Sequence, residues 1–417
     1  NPQCLDIGSL IGEPRRSPFA LALQASTFLL VIPNNACSPY SRIWCVYEAF
    51  LAYSWDKAIY TASAPICRPW AHPLGVFSAF AACASLALLA LSFVPPEATL
   101  GAYKAVMMLM VACYATVLAP SSDCAIALYY LSSGCAGVGV AFNIFFCAAG
   151  GRALECPLLK LIPASVWILY IVVGNASLAA CASDWARDRQ LYLESIQLRK
   201  EFTGSVHDAK SSQPADRERI MADIAASGSL EQVNQAVDVL LRAGMSTPSL
   251  RLATARGGDV RGAARWSLGH VLAVLLVFVV LPLASCALDN SCGGPLRCVT
   301  FVMAAEGIAW FLIFAAKRQD QRSFLSTTGC KLAAAYMAAF VLRIGQALCM
   351  GLPMERRQCV PDAIGAFALG PCMLALAAAG IEGTARLPVL GPRVVTFALT
   401  FGRRVIQPQE AAAADAV

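Results

Sequence analysis

The chain has 417 residues, of which 58% are hydrophobic and only 14% are charged. Soluble globular domains carry about 25% charged residues, so this composition excludes an ordinary water-soluble domain and indicates a protein matched to lipid. The net charge of +6 is small and lies beside the hydrophobic runs. That distribution is typical of membrane topology and argues against a nucleic-acid partner.

The first 72 residues are a polar segment that predicts a small α/β fragment. Residues 26–32 are apolar and partly β-branched, and Pro33 with two asparagines follows them, which predicts a buried strand and a turn. A helix is expected next. Ser41 can cap it, and the apolar positions continue to Trp55.

The stretch SPYSRIWCVYE, residues 38–48, resembles the strand, turn and helix of TIR domains, whose plant members carry a similar S-x-W-C-x-x-E motif. A similar W-C-V-x-E stretch occurs in uncharacterised membrane proteins of unicellular algae, which the chain also resembles. The resemblance covers only residues 10–60, without the other strands of a TIR domain. The motif residues are Ser41, Arg42, Trp44, Cys45 and Glu48.

This resemblance implies two functions for the fragment. In the family the motif glutamate cleaves NAD, so Glu48 would be the catalytic residue and NAD a substrate; a carboxylate can stabilise the oxocarbenium-like charge of that reaction. TIR domains also self-associate, so a partial domain could act as an assembly surface. The alternative is a structural remnant in which Glu48 lies at a solvated helix edge and Trp44 only packs.

Eight hydrophobic runs are long enough to cross about 30 Å of hydrocarbon as helices. The sequence therefore predicts a mainly α, polytopic membrane protein with about eight transmembrane helices. On the third of them Ser133, Gly134, Gly137 and Gly139 form a face of small residues that lets another helix approach closely. The runs are Leu74–Val94, Ala102–Ala119, Asp123–Gly150, Leu158–Ala182, Trp266–Leu288, Arg297–Ala316, Cys330–Met350 and Ala363–Gly380.

A polar segment, residues 183–265, separates the two sets of four runs. It predicts an amphipathic helix from Asp184 to about Phe202 and two further helices, 216–226 and 229–243, that form a small hairpin. Anionic headgroups are the expected neighbours of this cytosolic segment, and a docking site for a partner is the alternative. The basic residues that lead back to the membrane are Arg251, Arg256, Arg261 and Arg265.

The predicted units are therefore a TIR-like fragment (1–72), helices one to four (73–182), a cytosolic helical segment (183–265), helices five to eight (266–383) and a partly disordered cytosolic tail (384–417). Both termini are predicted to be cytosolic, because the connections on that side hold more arginine and lysine than those on the other. Examples are Lys317, Arg318, Arg403 and Arg404.

Two polar pairings are predicted within the helical region. Five cysteines lie at the predicted non-cytosolic ends of the transmembrane helices, where an oxidising compartment would permit at least one disulfide between them. The alternative is that all five are unpaired and serve only in packing. Inside the membrane, Glu306 and Arg343 lie about 16 and 18 Å from the cytosolic ends of their helices, so they are level and predicted to form an ion pair. The cysteines are Cys286, Cys292, Cys298, Cys349 and Cys359.

Two functional hypotheses follow. The first is a receptor-like or signalling membrane protein whose TIR-like fragment mediates assembly or cleaves NAD. The second is a transporter or channel whose helical bundle carries the activity. The eighteen cysteines form no CxxC pair and no histidine stands at ligand spacing, so no metal site is predicted. Walker, G-x-S-x-G and H-E-x-x-H motifs are also absent.

Overall fold

The computed structural model of the chain describes residues 12–33, 37–63, 70–94, 125–148, 164–200, 202, 205–265, 268–276, 279, 294–350 and 359–400. This part of the chain is 77% helical, so the prediction of a mainly α protein is confirmed. A small α/β domain lies beside two groups of long helices.

The α/β domain is built from two segments that are distant in sequence. The first segment supplies helix α1 (Pro18–Ala25), strand β1 (Phe28–Val31), helix α2 (Ile43–Ser54) and strand β2 (Ala58–Thr61). The second supplies α6 (Pro214–Ala226), α7 (Leu230–Ala243), β3 (Met245–Ser246) and α8 (Pro248–Ala255). The predicted strand, α2 and the hairpin of α6 and α7 are therefore present.

A three-stranded sheet with the order β1-β2-β3 joins the two segments. Strands β1 and β2 are parallel, with Leu29 opposite Ile59, and β3 runs antiparallel to β2. Besides the predicted strand, the sheet contains β2 from the same N-terminal segment and β3 from the central segment.

One apolar core is shared by the two segments. Residues of α2 such as Val46 and Phe50 pack with Ile220 of α6 and Val237 of α7, and each is at most 1% exposed. Backbone bonds add to the contact, because the Ile43 amide donates to the carbonyl of Lys210 at 2.9 Å. The predicted units 1–72 and 183–265 are thus a single domain.

The first helical group contains α3 (Ala71–Leu91), α4 (Ala125–Ala148) and α5 (Ala164–Arg199). The small-residue face predicted on residues 133–139 packs against α3: the Ser133 hydroxyl oxygen lies 2.7 Å from the Val76 carbonyl oxygen of α3 and 2.7 Å from Asn175 Oδ1 of α5, and can donate its one proton to either. A Cβ on Gly137 would overlap the Phe80 carbonyl oxygen. Close approach through small residues is therefore confirmed.

Helix α5 corrects the predicted boundary at residue 182. The fourth hydrophobic run and the amphipathic helix were predicted as separate elements, yet the structure has one helix of 36 residues. No glycine or proline lies between Gly174 and Gly204, so nothing in the backbone interrupts the hydrogen bonds where the surroundings change from apolar to polar. Its last turn reaches the α/β core through Leu198.

The second group contains α9 (Leu268–Leu275), α10 (Gly294–Ala316), α11 (Gln319–Met350), α12 (Cys359–Ala385) and α13 (Leu390–Thr400). Helix α13 forms part of the predicted tail, which is therefore helical from Leu390 to Thr400. It follows a bend of 114° after α12 and buries Val395 and Leu399 in the core of this group.

Within the described residues, α3 is the one helix that by length and composition could cross a membrane unaided. The bent pair of Gly370–Ala385 and Leu390–Thr400 adds a second if it is a single broken span. The stretches Ile126–Phe142 and Ala304–Ala316 are apolar but shorter. The predicted second span lies outside the described residues.

Gly137→Ala is expected to destabilise the contact between α3 and α4. Its new Cβ would overlap backbone atoms of Phe80, which cannot rotate away, and overpacking of this kind costs about 1–3 kcal/mol. Thermal unfolding of the purified protein in detergent measures the effect. Gly134→Ala is the matched control, because its Cβ would meet only the Cys83 side chain, at 3.0 Å. Equal melting temperatures for the two variants would contradict the close backbone approach.

Candidate functional site

The motif residues lie at the start of α2, after a single 3-10 turn at Pro39–Ser41. The Ser38 hydroxyl caps this turn by accepting from the Tyr40 amide at 3.2 Å. Ser41 does not cap α2 as predicted: its hydroxyl donates to the Ser38 carbonyl at 2.7 Å, and Arg42 occupies the N-cap position without a side-chain cap bond. The extra turn moves the N-cap by one residue, from Ser41 to Arg42.

Trp44 and Cys45 are half-buried on α2. The Trp44 ring lies 6.2 Å from Phe19 of α1 and 6.2 Å from Tyr47, with centroids as reference points. It therefore packs between α1 and α2, as the structural alternative predicted. Burial raises the pKa of the Cys45 thiol, and the charge of Glu48 raises it further. A thiol held neutral in this way is a poor nucleophile.

Glu48 is half-buried rather than solvated, which differs from the predicted alternative for this residue. Burial raises the pKa of its carboxyl group, and the positive charge of Arg42 opposes that shift. Arg42 itself is exposed. The carboxyl group thus lies at the boundary of the core with one cation near it.

Tyr40 completes the group at this end of α2. It is 1% exposed, and its hydroxyl finds no hydrogen-bond partner in the described part of the chain. Burial raises its pKa, and the nearby Cys45 and Glu48 act in the same direction. The structure therefore brings Tyr40, Arg42, Cys45 and Glu48 together, and Tyr40 is a member that the sequence argument missed.

A second polar cluster joins α2 to α6 and was also missed. The Tyr47 hydroxyl donates to Asp223 at 2.7 Å, and Arg15 Nε donates to both oxygens of the same carboxylate at 3.1 Å. Burial and then this bond raise the pKa of Tyr47. The signal in the sequence was a charged residue beside Ile220 and Ile224, the buried positions of α6.

The α/β domain is fixed to the second helical group by buried bonds. Thr247 Oγ1 donates to Asp320 at 2.7 Å, and Asp320, in the first turn of α11, is only 1% exposed. Ser323, one turn later, donates to the carbonyl of Arg265 at 2.7 Å. Tyr60 of β2 packs against the same helices.

Of the four arginines that lead back to the predicted membrane, Arg256 is the one that is exposed. Arg251 is 5% exposed, donates to Asp56 at 3.1 Å and lies over the Tyr53 ring; burial lowers its pKa, against the opposing charge of Asp56. The other two are paired, Arg261 with Asp259 and Arg265 with Asp188. Three of the four guanidinium groups are therefore engaged by carboxylates of the same chain.

The predicted pairs in the helical region have different outcomes. Glu306 lies on α10 opposite Gly370 of α12, whereas the side chain of Arg343 lies outside the described residues, so their ion pair stays a prediction. Cys286 and Cys292 also fall outside the described residues. The side chains of Cys298, Cys349 and Cys359 do so too, although their backbones are helical.

No protein-family model, curated protein or solved structure matches this chain. The likeness to TIR domains therefore remains a prediction based on the motif.

Glu48→Gln is expected to stabilise the folded protein near neutral pH. The pKa of Glu48 is higher in the folded than in the unfolded protein, so an ionised Glu48 lowers the free energy of unfolding. This loss of stability is complete above the folded-state pKa and absent below the unfolded-state pKa of about 4.3. We expect the variant to melt about 1–2 °C above the wild type at pH 7 and at the same temperature near pH 4.

Glu218→Gln is the control, since Glu218 is exposed on α6; its effect should not change between the two pH values. A Glu48→Gln protein that melts below the wild type at pH 7 would contradict an unfavourable ionised Glu48.

Proposed function

We propose that the protein is a multi-pass membrane protein of the receptor or signalling type, with its α/β domain and both termini in the cytosol. Eight spans are part of this proposal. Large apolar side chains exposed along α3 and α10 support contact with lipid, because water would be an unfavourable neighbour for such faces. They include Leu74, Phe77, Leu86, Leu89, Phe311 and Leu312.

The observation that carries the signalling role is a continuous apolar core that runs from the α/β domain into the helical group. Met245 and Leu250 of the domain belong to the same buried cluster as Phe324 of α11 and Ile381 of α12. Packed interiors transmit displacements because they deform little. A shift of α11 or α12 would therefore be passed to β3 and α8 rather than absorbed between them.

An exposed apolar strand supports assembly as the output of the domain. β1 is an edge strand of the described sheet, and Phe28, Leu30 and Ile32 are 47–71% exposed along it. An unpaired edge with apolar side chains is a template for pairing with another chain. A second copy of this domain is the partner that we propose, in keeping with the self-association of TIR domains.

Leu30→Glu is expected to weaken self-association of the purified full-length protein at least tenfold, because the new carboxylate would be buried at the contact without a partner. Mass photometry across a concentration series in detergent measures the change. Leu21→Glu is the matched control: Leu21 is 54% exposed on α1, away from β1. A monomeric wild type, or equal association in all three proteins, would reject assembly through β1.

NAD cleavage is the less favoured activity. A catalytic carboxylate must reach the substrate to stabilise a developing cation, whereas Glu48 is half-buried at the boundary of the core, on the helix where Trp44 packs against Phe19. We therefore expect the wild type and Glu48→Gln to release nicotinamide from NAD at equal rates or not at all. Release by the wild type that is lost in the variant would establish the enzyme instead.

A further inference from the structure

A cavity lies between α9, α10 and α12, inside the second helical group. Its volume is about 10 Å³, which is about the room that one water molecule needs. Apolar side chains form most of its wall, and two polar side chains, Glu306 and Trp310, interrupt them. The lining residues are Val274, Leu275, Glu306, Gly307, Trp310, Gly370 and Met373.

The two polar side chains have unmet hydrogen-bonding capacity. Glu306 Oε2 is buried and Trp310 is 2% exposed, and neither Oε2 nor the indole Nε1 has a hydrogen-bond partner among the described residues. They stand four residues apart on α10 and so share one face of the helix. An unpaired buried acceptor and an unpaired buried donor at one cavity are each costly, which points to an occupant.

Their chemistry selects the occupant. An indole N–H is a donor only, whereas a carboxylate only accepts and a protonated carboxyl group can donate. A water molecule can accept from Trp310 and donate to Glu306 at the same time. A metal cation would face a single carboxylate, apolar walls and the positive end of the indole N–H, which is an unsuitable set of ligands.

The cavity wall opposite Glu306 is formed by α12, and the carboxyl group approaches its backbone closely at Gly370. A Cβ at position 370 would overlap Glu306 Oε2, so the carboxyl group lies directly against the backbone of α12. Pro371 follows inside α12 and cannot donate a helical hydrogen bond. The carboxyl group therefore meets α12 beside a position where one helical hydrogen bond is missing.

We propose that Glu306, Trp310 and the Gly370–Pro371 step of α12 form a proton-binding site with one bound water. The proton resides on Glu306 and is exchanged as the pH changes, and the water joins the carboxyl group to the indole. Met373 of the same wall shares a core with Leu250 of the α/β domain. Occupancy by a proton is thus relayed along α12, which makes the site pH-responsive.

Glu306 is the ionisable side chain among the residues that line the cavity. The wall contributed by α9 and α12 holds no ionisable side chain, and the nearest ones along those helices are His270 and Cys372. On α11, the thiol of Cys330 is buried in the same apolar cluster as Trp310 and Met373, and Lys331 donates to the carbonyl of Phe397. Arg343 is the remaining candidate, and its side chain lies outside the described residues, so Arg343→Gln belongs in the experiment.

Infrared difference spectroscopy of the full chain in lipid nanodiscs tests the proposal, because the carbonyl stretch of a protonated carboxyl group is resolved from that of a carboxylate. We expect a buried carboxyl band that titrates in the wild type, disappears in Glu306→Gln and persists in Arg343→Gln. Glu382→Gln is the matched control, since Glu382 pairs with Arg386 at the exposed end of α12. Its spectrum should keep the band.

Trp310→Phe supplies a second test if Glu306→Gln does not fold. Loss of the indole donor weakens the water-mediated support of the carboxylate, so the midpoint of the band should move up by about one pH unit. A band that survives in Glu306→Gln, or a midpoint that does not move in Trp310→Phe, overturns the site. A band that Arg343→Gln creates, with none in the wild type, would establish the ion pair instead. None of these outcomes depends on self-association of the α/β domain.

Discussion

The burial of α2 is the constraint on which the rest of the structure depends. This helix is apolar around most of its circumference, and Ile43, Val46, Tyr47, Phe50 and Leu51 are each at most 2% exposed. Each such side chain contributes roughly 1.5–3 kcal/mol when it leaves water. Helix α1 and strands β1 and β2 cover only part of this surface. Helices α6 and α7 cover the remainder, and in the sequence they follow the three helices of the first helical group.

That shared core also constrains the proposed membrane topology. The described parts of residues 1–72 and 183–265 share one core, so a chain that spans a membrane as proposed must cross it an even number of times between them. Three described helices, α3, α4 and α5, lie between the segments. If all three cross, a fourth crossing is required, and the predicted run Ala102–Ala119 is the segment that can supply it. An even number of crossings agrees with the topology predicted from the basic residues, and it is derived without using those residues.

Elements that depend on local sequence were predictable, and elements that depend on distant partners were not. The strand at residues 28–31, the helices α2, α6 and α7 and the small-residue face of α4 follow from periodicity and glycine content. Strand β3 has two residues and exists because β2 offers it a partner, which no local pattern reveals. Arg251 was grouped with the basic residues that lead back to the membrane, because a sequence does not show that its guanidinium group contacts Tyr53 and Asp56.

The candidate site was predicted in part for the same reason. The motif located Glu48 and Trp44 correctly on one helix, since both belong to a continuous stretch of sequence. It could not show that Glu48 is half-buried, because the packing of α2 against the central segment is not visible in the motif. The Thr247–Asp320 bond had no signal at all, since an acidic residue in a first helical turn is common and is stabilising there without a partner.

The three acidic residues at the core differ in how their charge is supported, and this difference separates structural from functional roles. Asp320 accepts a bond from Thr247 and lies in the first turn of α11, where the helix dipole favours a negative charge. Its burial is accounted for by the fold. Glu48 has burial against it and only the charge of Arg42 in its favour, and Glu306 Oε2 has no partner in the described structure. The packing around Glu48 and Glu306 therefore gives less support to a negative charge than the surroundings of Asp320 do, and this difference is the ground on which a sensing role for Glu306 is proposed.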